Sequence, residues 1–272
     1  MISFVVFFLY PSIYSFILSF HSYKGYGNAV FVGFRNYAAL LRYRLFWIAI
    51  GNTFFYFVLH MVPVMLLSFA IALLLHYNPR NKSTKWYKPA IFLPQIVTIV
   101  ASALCWRVIL SKQYGVINQL LGTQIGFLEN PDLIKWSVIL LIVWRATGWY
   151  MVIYLSGLTT ISDEIIDASL IDGATAPQRL YYLIIPMMKP IFLFAFLIDA
   201  ISSLKIYTEP YVLFGASEGL PISERGETIV GVLIGRLNSG NFGLAAAVGW
   251  LLFSIILVVA IFQYVILRPR EK

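Results

Sequence analysis

Residues 46–75 read FWIAIGNTFFYFVLHMVPVMLLSFAIALLL, thirty positions without a Lys, Arg, Asp or Glu. About 20 mainly apolar residues suffice for a helix to cross the ~30 Å hydrocarbon layer of a bilayer. A membrane β-barrel would instead show alternating strands of about ten residues. The stretch therefore predicts a membrane-spanning helix, and the rest of the chain repeats the pattern. Residues 1–20, 89–106 and 241–267 are equally free of charge, and 136–162 are interrupted once, by Arg145. Residues 190–214 carry Asp199, Lys205 and Glu209. The expectation is an all-α integral membrane protein, one unit over 1–272, with six spans at about 1–20, 46–75, 89–110, 136–158, 190–214 and 241–267. Residues 1–20 lack the basic flank and small-residue cleavage site of a signal peptide, so they read as a span.

Composition agrees. Of 272 residues, 60% are hydrophobic and 12% charged, with a mean hydropathy of +0.81. Soluble domains hold about 45–50% apolar and about 25% charged residues. A soluble enzyme and a disordered chain are both excluded. The net charge of +8 fits basic loops facing the cytoplasm or anionic lipid better than nucleic acid. A single cysteine, Cys105, rules out a disulfide framework and a cysteine-rich metal site. Charge does not decide orientation. With the N-terminus inside, Arg80, Lys82, Lys85, Lys88, Arg268, Arg270 and Lys272 face Lys24, Arg35, Arg42, Arg44, Arg107, Lys112, Lys135 and Arg225 across the membrane. Residues 34–45 and 227–237 read as amphipathic packing helices, the first with Phe34, Tyr37, Ala38, Leu41 and Leu45 on one stripe.

The long connection 158–190, LTTISDEIIDASLIDGATAPQRLYYLIIPMMKP, predicts two short helices on the membrane surface. Ser162 stands at an N-cap position, with Asp163 and Glu164 in the first turn where the helix dipole favours acids. The helix runs to Asp172, and Gly173 can take the left-handed conformation that ends it. The second starts near Thr175, accepts Pro177 in its first turn and ends before Pro186. Ala168 and Ser169 keep one flank small.

This connection resembles the E-A-A loop of membrane subunits of binding-protein-dependent ABC importers. Asp167, Ala168 and Ser169 stand at the E-A-A positions and Gly173 at the glycine, followed by Ala174, while Ile184, Ile185 and Pro186 stand near the closing I-x-L-P. Further fragments look like the first-partner permease of the oligosaccharide and glycerol-phosphate branch. They are FVGFRNYAALL (31–41), FWIAIGNT (46–53), ALLLH (72–76), FLP (92–94), WRVI (106–109), YGVIN (114–118), TG (147–148), EPYVL (209–213) and FGLAAA (242–247). The resemblance implies a cytoplasmic coupling loop in which Asp163, Glu164, Asp167, Ala168, Ser169, Asp172, Gly173 and Ala174 meet an ATPase. It also implies a homologous second permease, two ABC ATPase subunits that bind ATP and Mg, and an extracytoplasmic solute-binding protein. The chain itself holds no cofactor and no metal. It has no G-x-x-x-x-G-K-[ST], so it cannot hydrolyse ATP alone, and it is not an enzyme. Its setting is a bacterial or archaeal cytoplasmic membrane.

Charges within spans read as functional by default. Trp144, Arg145, Tyr150, Asp199, Lys205, Tyr207 and Glu209 are the candidate lining of a polar path, with Trp149, Tyr154 and Tyr211 as further rings that could stack on sugars. Lys205 and Glu209, at i,i+4 on one helix, are expected to pair. His21, His60 and His76 read as isolated and structural. The expected function is import of an oligosaccharide, possibly acidic given the basic balance, by alternating access. Rival readings are a glycerol-phosphate importer, an ion-coupled secondary transporter using Asp199 or Glu209, and a membrane enzyme, for which no catalytic dyad is present.

Overall fold

The computed structural model describes residues 2–77, 84–130, 132–215, 224 and 226–267. Met1 of the first expected span lies outside the described residues, as do Arg80, Lys82, Arg225, Arg268, Arg270 and Lys272 of the charge count and the side chain of Lys85. Helix α1 (Ile2–Ser19) leads into a two-stranded antiparallel hairpin, β1 (His21–Ser22) and β2 (Val30–Phe31). There follow α2 (Arg35–Leu41), α3 (Arg44–Tyr77), α4 (Thr84–Ile96), α5 (Ile99–Ile109), α6 (Val116–Leu121) and α7 (Ile134–Leu158). The expected surface hairpin is α8 (Asp163–Ile171) and α9 (Ala176–Met187), and the chain closes with α10 (Lys189–Ser203), α11 (Ile229–Asn238) and α12 (Phe242–Leu267).

Among the described residues four helices, α1, α3, α7 and α12, are long and apolar enough to cross a membrane alone. The other two expected spans are broken. Residues 89–110 are not one straight helix: α4 and α5 meet at 97°. Pro89 and Pro94 lie inside α4, and Thr98 opens α5 as its N-cap, its Oγ1 accepting from Ala101 N at 3.3 Å. Residues 190–214 are interrupted as well. Helix α10 stops at Ser203, and after a short break the chain makes one turn, Thr208–Pro210, that widens into a π-turn, Tyr211–Gly215. Helix α9 joins α10 at 65°.

The centre of the fold is the pair α3 and α7, which run in the same direction. Val64, Met65, Ala72 and Leu75 of α3 pack against Tyr150, Met151, Tyr154 and Leu158 of α7. Ser68 Oγ donates to the Thr147 carbonyl at 2.9 Å. Gly148 lets α4 approach: a Cβ there would run into the carbonyl oxygen of Ile91. A second cluster ties α2, α3, α11 and α12 through Leu40, Ala49, Ile229, Val232 and Val248. In α2 it is Leu40 that is buried, while Phe34 and Leu41 of the expected stripe face outward. Asn52 Nδ2 donates to the carbonyls of Glu224 and Glu227 at 2.9 and 2.8 Å, fastening the segment before α11 to α3. The apolar residues of α1 are exposed almost throughout, and its inner side meets α12, Phe16 edge-on to Trp250.

Candidate functional site

A cavity of about 450 Å³ opens between α3, α7 and α10, bordered by residues of the two breaks. Each wall is a helical stripe. Helix α3 contributes Tyr56 and His60, one turn apart; α7 contributes Ile142, Arg145, Ala146, Trp149 and Tyr150; α10 contributes Ile198, Asp199, Ser202 and Ser203. The spacings of three and four put these residues on single faces. Gln95 and Ile99 come from the α4–α5 bend, and Lys205 to Glu209 from the break after α10. Bent backbone at membrane depth is tolerated only where it is packed in protein or borders such a space.

Of the seven expected path residues, six line this cavity: Arg145, Tyr150, Asp199, Lys205, Tyr207 and Glu209. Trp144 does not. One residue before Arg145, it is turned about 100° around α7 and packs edge-on against Trp106, 5.8 Å between centroids. Trp149, one turn after Arg145, takes the place facing the cavity. Among the other rings, Tyr154 is buried in the core with its hydroxyl donating to Met65 Sδ, and Tyr211 stacks on Tyr207 at 5.1 Å outside the lining.

The expected pair of Lys205 and Glu209 does not form, because α10 ends at Ser203 and the two are no longer on one helix. Glu209 instead faces Arg145, Oε1 to Nη1 3.7 Å, with both side chains largely buried. That separation is an ion pair without a hydrogen bond. His60 is not isolated either: its Nε2 lies 3.0 Å from Asp199 Oδ1 and its Nδ1 is 2.8 Å from the Tyr56 carbonyl. A carbonyl accepts only, so Nδ1 carries a proton. The contact to Asp199 needs a second, held by Nε2 or by the carboxyl, and either placement leaves the pair neutral overall. Asp199 Oδ2, Tyr56 Oη and Arg145 Nε are buried without a hydrogen-bond partner among the described residues. The sequence held a partial clue to His60, a polar residue inside a charge-free stretch. Its partner lies 139 positions away, beyond any local pattern.

At the far end of α3 and α7 the hairpin is anchored by Ile161, Ile184 and Met188, all buried against the core. Helix α8 has Ser162 in N-cap backbone geometry with no side-chain bond, and Gly173 follows it at φ 75°. Thr175 and Gln178 form a reciprocal capping box that starts α9. Pro186 does not end α9, which runs to Met187. A π-turn over Leu180–Ile184 widens the backbone ahead of the proline ring. Asp163, Glu164, Asp167, Ala168, Asp172 and Gly173 are exposed. Ser169 and Ala174 are half-buried, Ser169 Oγ donating to the Ile166 carbonyl at 2.6 Å.

A bundle of lipid-length helices around a polar, charge-lined cavity defines a multi-pass transport protein. Residues 29–272 match the family of binding-protein-dependent transport system inner membrane components, and the chain belongs to that family. It is a permease subunit and not itself an enzyme. It is 30% identical over 275 residues to the lactose transport system permease protein LacF of Rhizobium radiobacter, covering 98% of this chain and 90% of LacF. It is 30% identical to the arabinooligosaccharides transport system permease protein AraP of Bacillus subtilis, covering 96% of this chain and 83% of AraP. Its fold matches a chain of a bacterial ABC transporter involved in the import of the acidic polysaccharide alginate, with a TM-score of 0.86 at 22% identity over 100% of this chain and 93% of that one. The ion-coupled reading is not favoured by this membership, and its two candidate carboxylates are engaged, Asp199 by His60 and Glu209 by Arg145.

Proposed function

We propose that this chain forms half of the translocation path of an ATP-driven importer for an oligosaccharide. In this reading the six spans are α1, α3, the bent pair α4–α5, α7, α10 with the turn that follows it, and α12, in a cytoplasmic membrane with α8 and α9 on the cytoplasmic side. The other half of the path is a homologous permease. Two ABC ATPases bind ATP and Mg and carry the hairpin between inward-open and outward-open states, and an extracytoplasmic binding protein delivers the sugar.

The observation that carries the reading is the gathering of Arg145, Tyr150, Asp199, Lys205, Tyr207 and Glu209 around one cavity. Hydroxyl-rich solutes need hydrogen-bond partners and ring faces, and an apolar bundle would have no use for these groups otherwise. The hairpin supports the coupling half. Its inner side is seated in the core, while Leu170, Ile171, Tyr181 and Tyr182 stand exposed, Ile171 at 87%. Apolar groups held outward on a short rigid hairpin suit a protein surface. Relatives that carry lactose and arabinooligosaccharides in their names support the sugar. The test is uptake into proteoliposomes holding both permeases, with ATPases and loaded binding protein. Oligosaccharide uptake strictly dependent on ATP is expected; uptake driven by an ion gradient without ATP overturns the reading.

A further inference from the structure

The charges around the cavity do not cancel. Arg145 and Lys205 are cations and Glu209 is an anion, while His60 and Asp199 share protons so that their pair is neutral. The lining residues therefore sum to one positive charge. Glu227 is not among the residues that line the cavity. The Lys205 ammonium has no ion-pair or hydrogen-bond partner among the described residues and is exposed to the cavity.

Arg145 is the second observation. Its guanidinium carries five N–H donors, yet it makes no hydrogen bond among the described residues. Its Nε is buried without a partner, and Glu209 stands 3.7 Å from Nη1. A planar fork with its donors unspent, in a largely buried wall, is matched by the two oxygens of a carboxylate. A neutral sugar offers hydroxyls, which satisfy the donors but leave the charge of Lys205 unanswered.

We propose that the cavity selects an acidic oligosaccharide, with a uronate carboxylate of the substrate received by Lys205 and the open donors of Arg145. The inference rests on the oligosaccharide reading and narrows it. Glu209 then holds Arg145 in place while the cavity is empty and yields part of that contact to the incoming carboxylate. Specificity follows from the mismatch: a site built to meet a charge loses more when the charge is missing than an apolar pocket loses with a methylene.

The test is equilibrium binding of two probes to the purified transporter complex in lipid nanodiscs. One probe is a galacturonate tetrasaccharide; the other is the same tetrasaccharide with its carboxyls reduced to neutral alcohols. The acidic sugar is expected to bind at least about tenfold tighter, a typical worth for a charged hydrogen bond. Lys205→Met should remove most of that preference, weakening the acidic sugar far more than the neutral one, and Lys205→Arg should keep it. Lys205 is exposed, so its substitution does not threaten the fold. Equal binding of the two sugars, or an acidic preference untouched in Lys205→Met, overturns the inference while leaving an oligosaccharide importer standing. Binding of neither sugar, together with no ATP-dependent uptake of any oligosaccharide, overturns the wider reading as well.

Discussion

His60 Nε2 on α3 lies 3.0 Å from Asp199 Oδ1 on α10, and both side chains are almost wholly buried. This contact joins α3 and α10 at the cavity lining. Removing one member of a buried pair strands the other, at about 3–5 kcal/mol. His60→Leu should therefore lower the thermal midpoint of the purified complex clearly. His60→Leu with Asp199→Leu should recover much of the loss, because no stranded charge remains. Equal midpoints for His60→Leu and wild type would show that the pair contributes nothing.

Arg145 and Glu209 make the second case. Exchanging the two, Arg145→Glu with Glu209→Arg, should restore part of the uptake that either single reversal abolishes, a coupling that a double-mutant cycle reads directly. Lys205→Glu combined with Glu209→Lys should show a smaller coupling, since those two are not paired. Uptake coupling that is larger for the Lys205 pair would contradict the geometry.

Gly173 sits at φ 75° with nothing within 4 Å of where a Cβ would be. Substitution there strains the backbone alone, at about 1–2 kcal/mol for a β-branched residue. Gly173→Val should leave the protein inserted and folded but weaken retention of the ATPase, or uncouple stimulated hydrolysis from uptake. Gly173→Asn should be milder, because asparagine tolerates the left-handed region. Co-purification of ATPase subunits and binding-protein-stimulated turnover measure both effects. Normal values in both for the valine variant would remove the hairpin from coupling.

Gly148 fails for the opposite reason. Its backbone is ordinary helix, but any Cβ meets the Ile91 carbonyl, and a carbonyl in α4 has little room to retreat. Overpacking of this kind costs about 1–3 kcal/mol. Gly148→Ala should lower the thermal midpoint of the complex even in detergent without partners engaged at the hairpin. A midpoint equal to wild type would mean that α4 gives way freely.

Much of this architecture was legible because the bilayer penalises charge so heavily. The runs 46–75 and 241–267 name their helices by composition alone, and Thr175, Pro177 and Gly173 mark the hairpin by turn chemistry. The bends were not legible. Hydropathy averaged over a window is the same for a straight helix and for α4 and α5 meeting at 97°. Pro94 permits such a break but does not require one. The pairing of Lys205 with Glu209 failed for that reason, since it assumed a helix that stops at Ser203. Placement of Arg145 and Asp199 around one cavity followed from the cost of burying charge, whereas His60 needed the third dimension.

At the 65° junction between α9 and α10 the chain turns from the hairpin into the cavity wall. Between the two helices stands Met188, seated in the core at 1% exposure. One limb is the exposed hairpin, and the other carries Asp199, Ser202 and Ser203 into the cavity wall. From Lys189 to Asp199 the helix climbs roughly 15 Å, so a tilt of about 10° at the junction would displace the carboxylate by roughly 2.6 Å. That travel is comparable to the length of the His60–Asp199 contact itself. A rotation of α10 of that size about its N-terminal end would therefore be enough to break this one hydrogen bond at the centre of the protein.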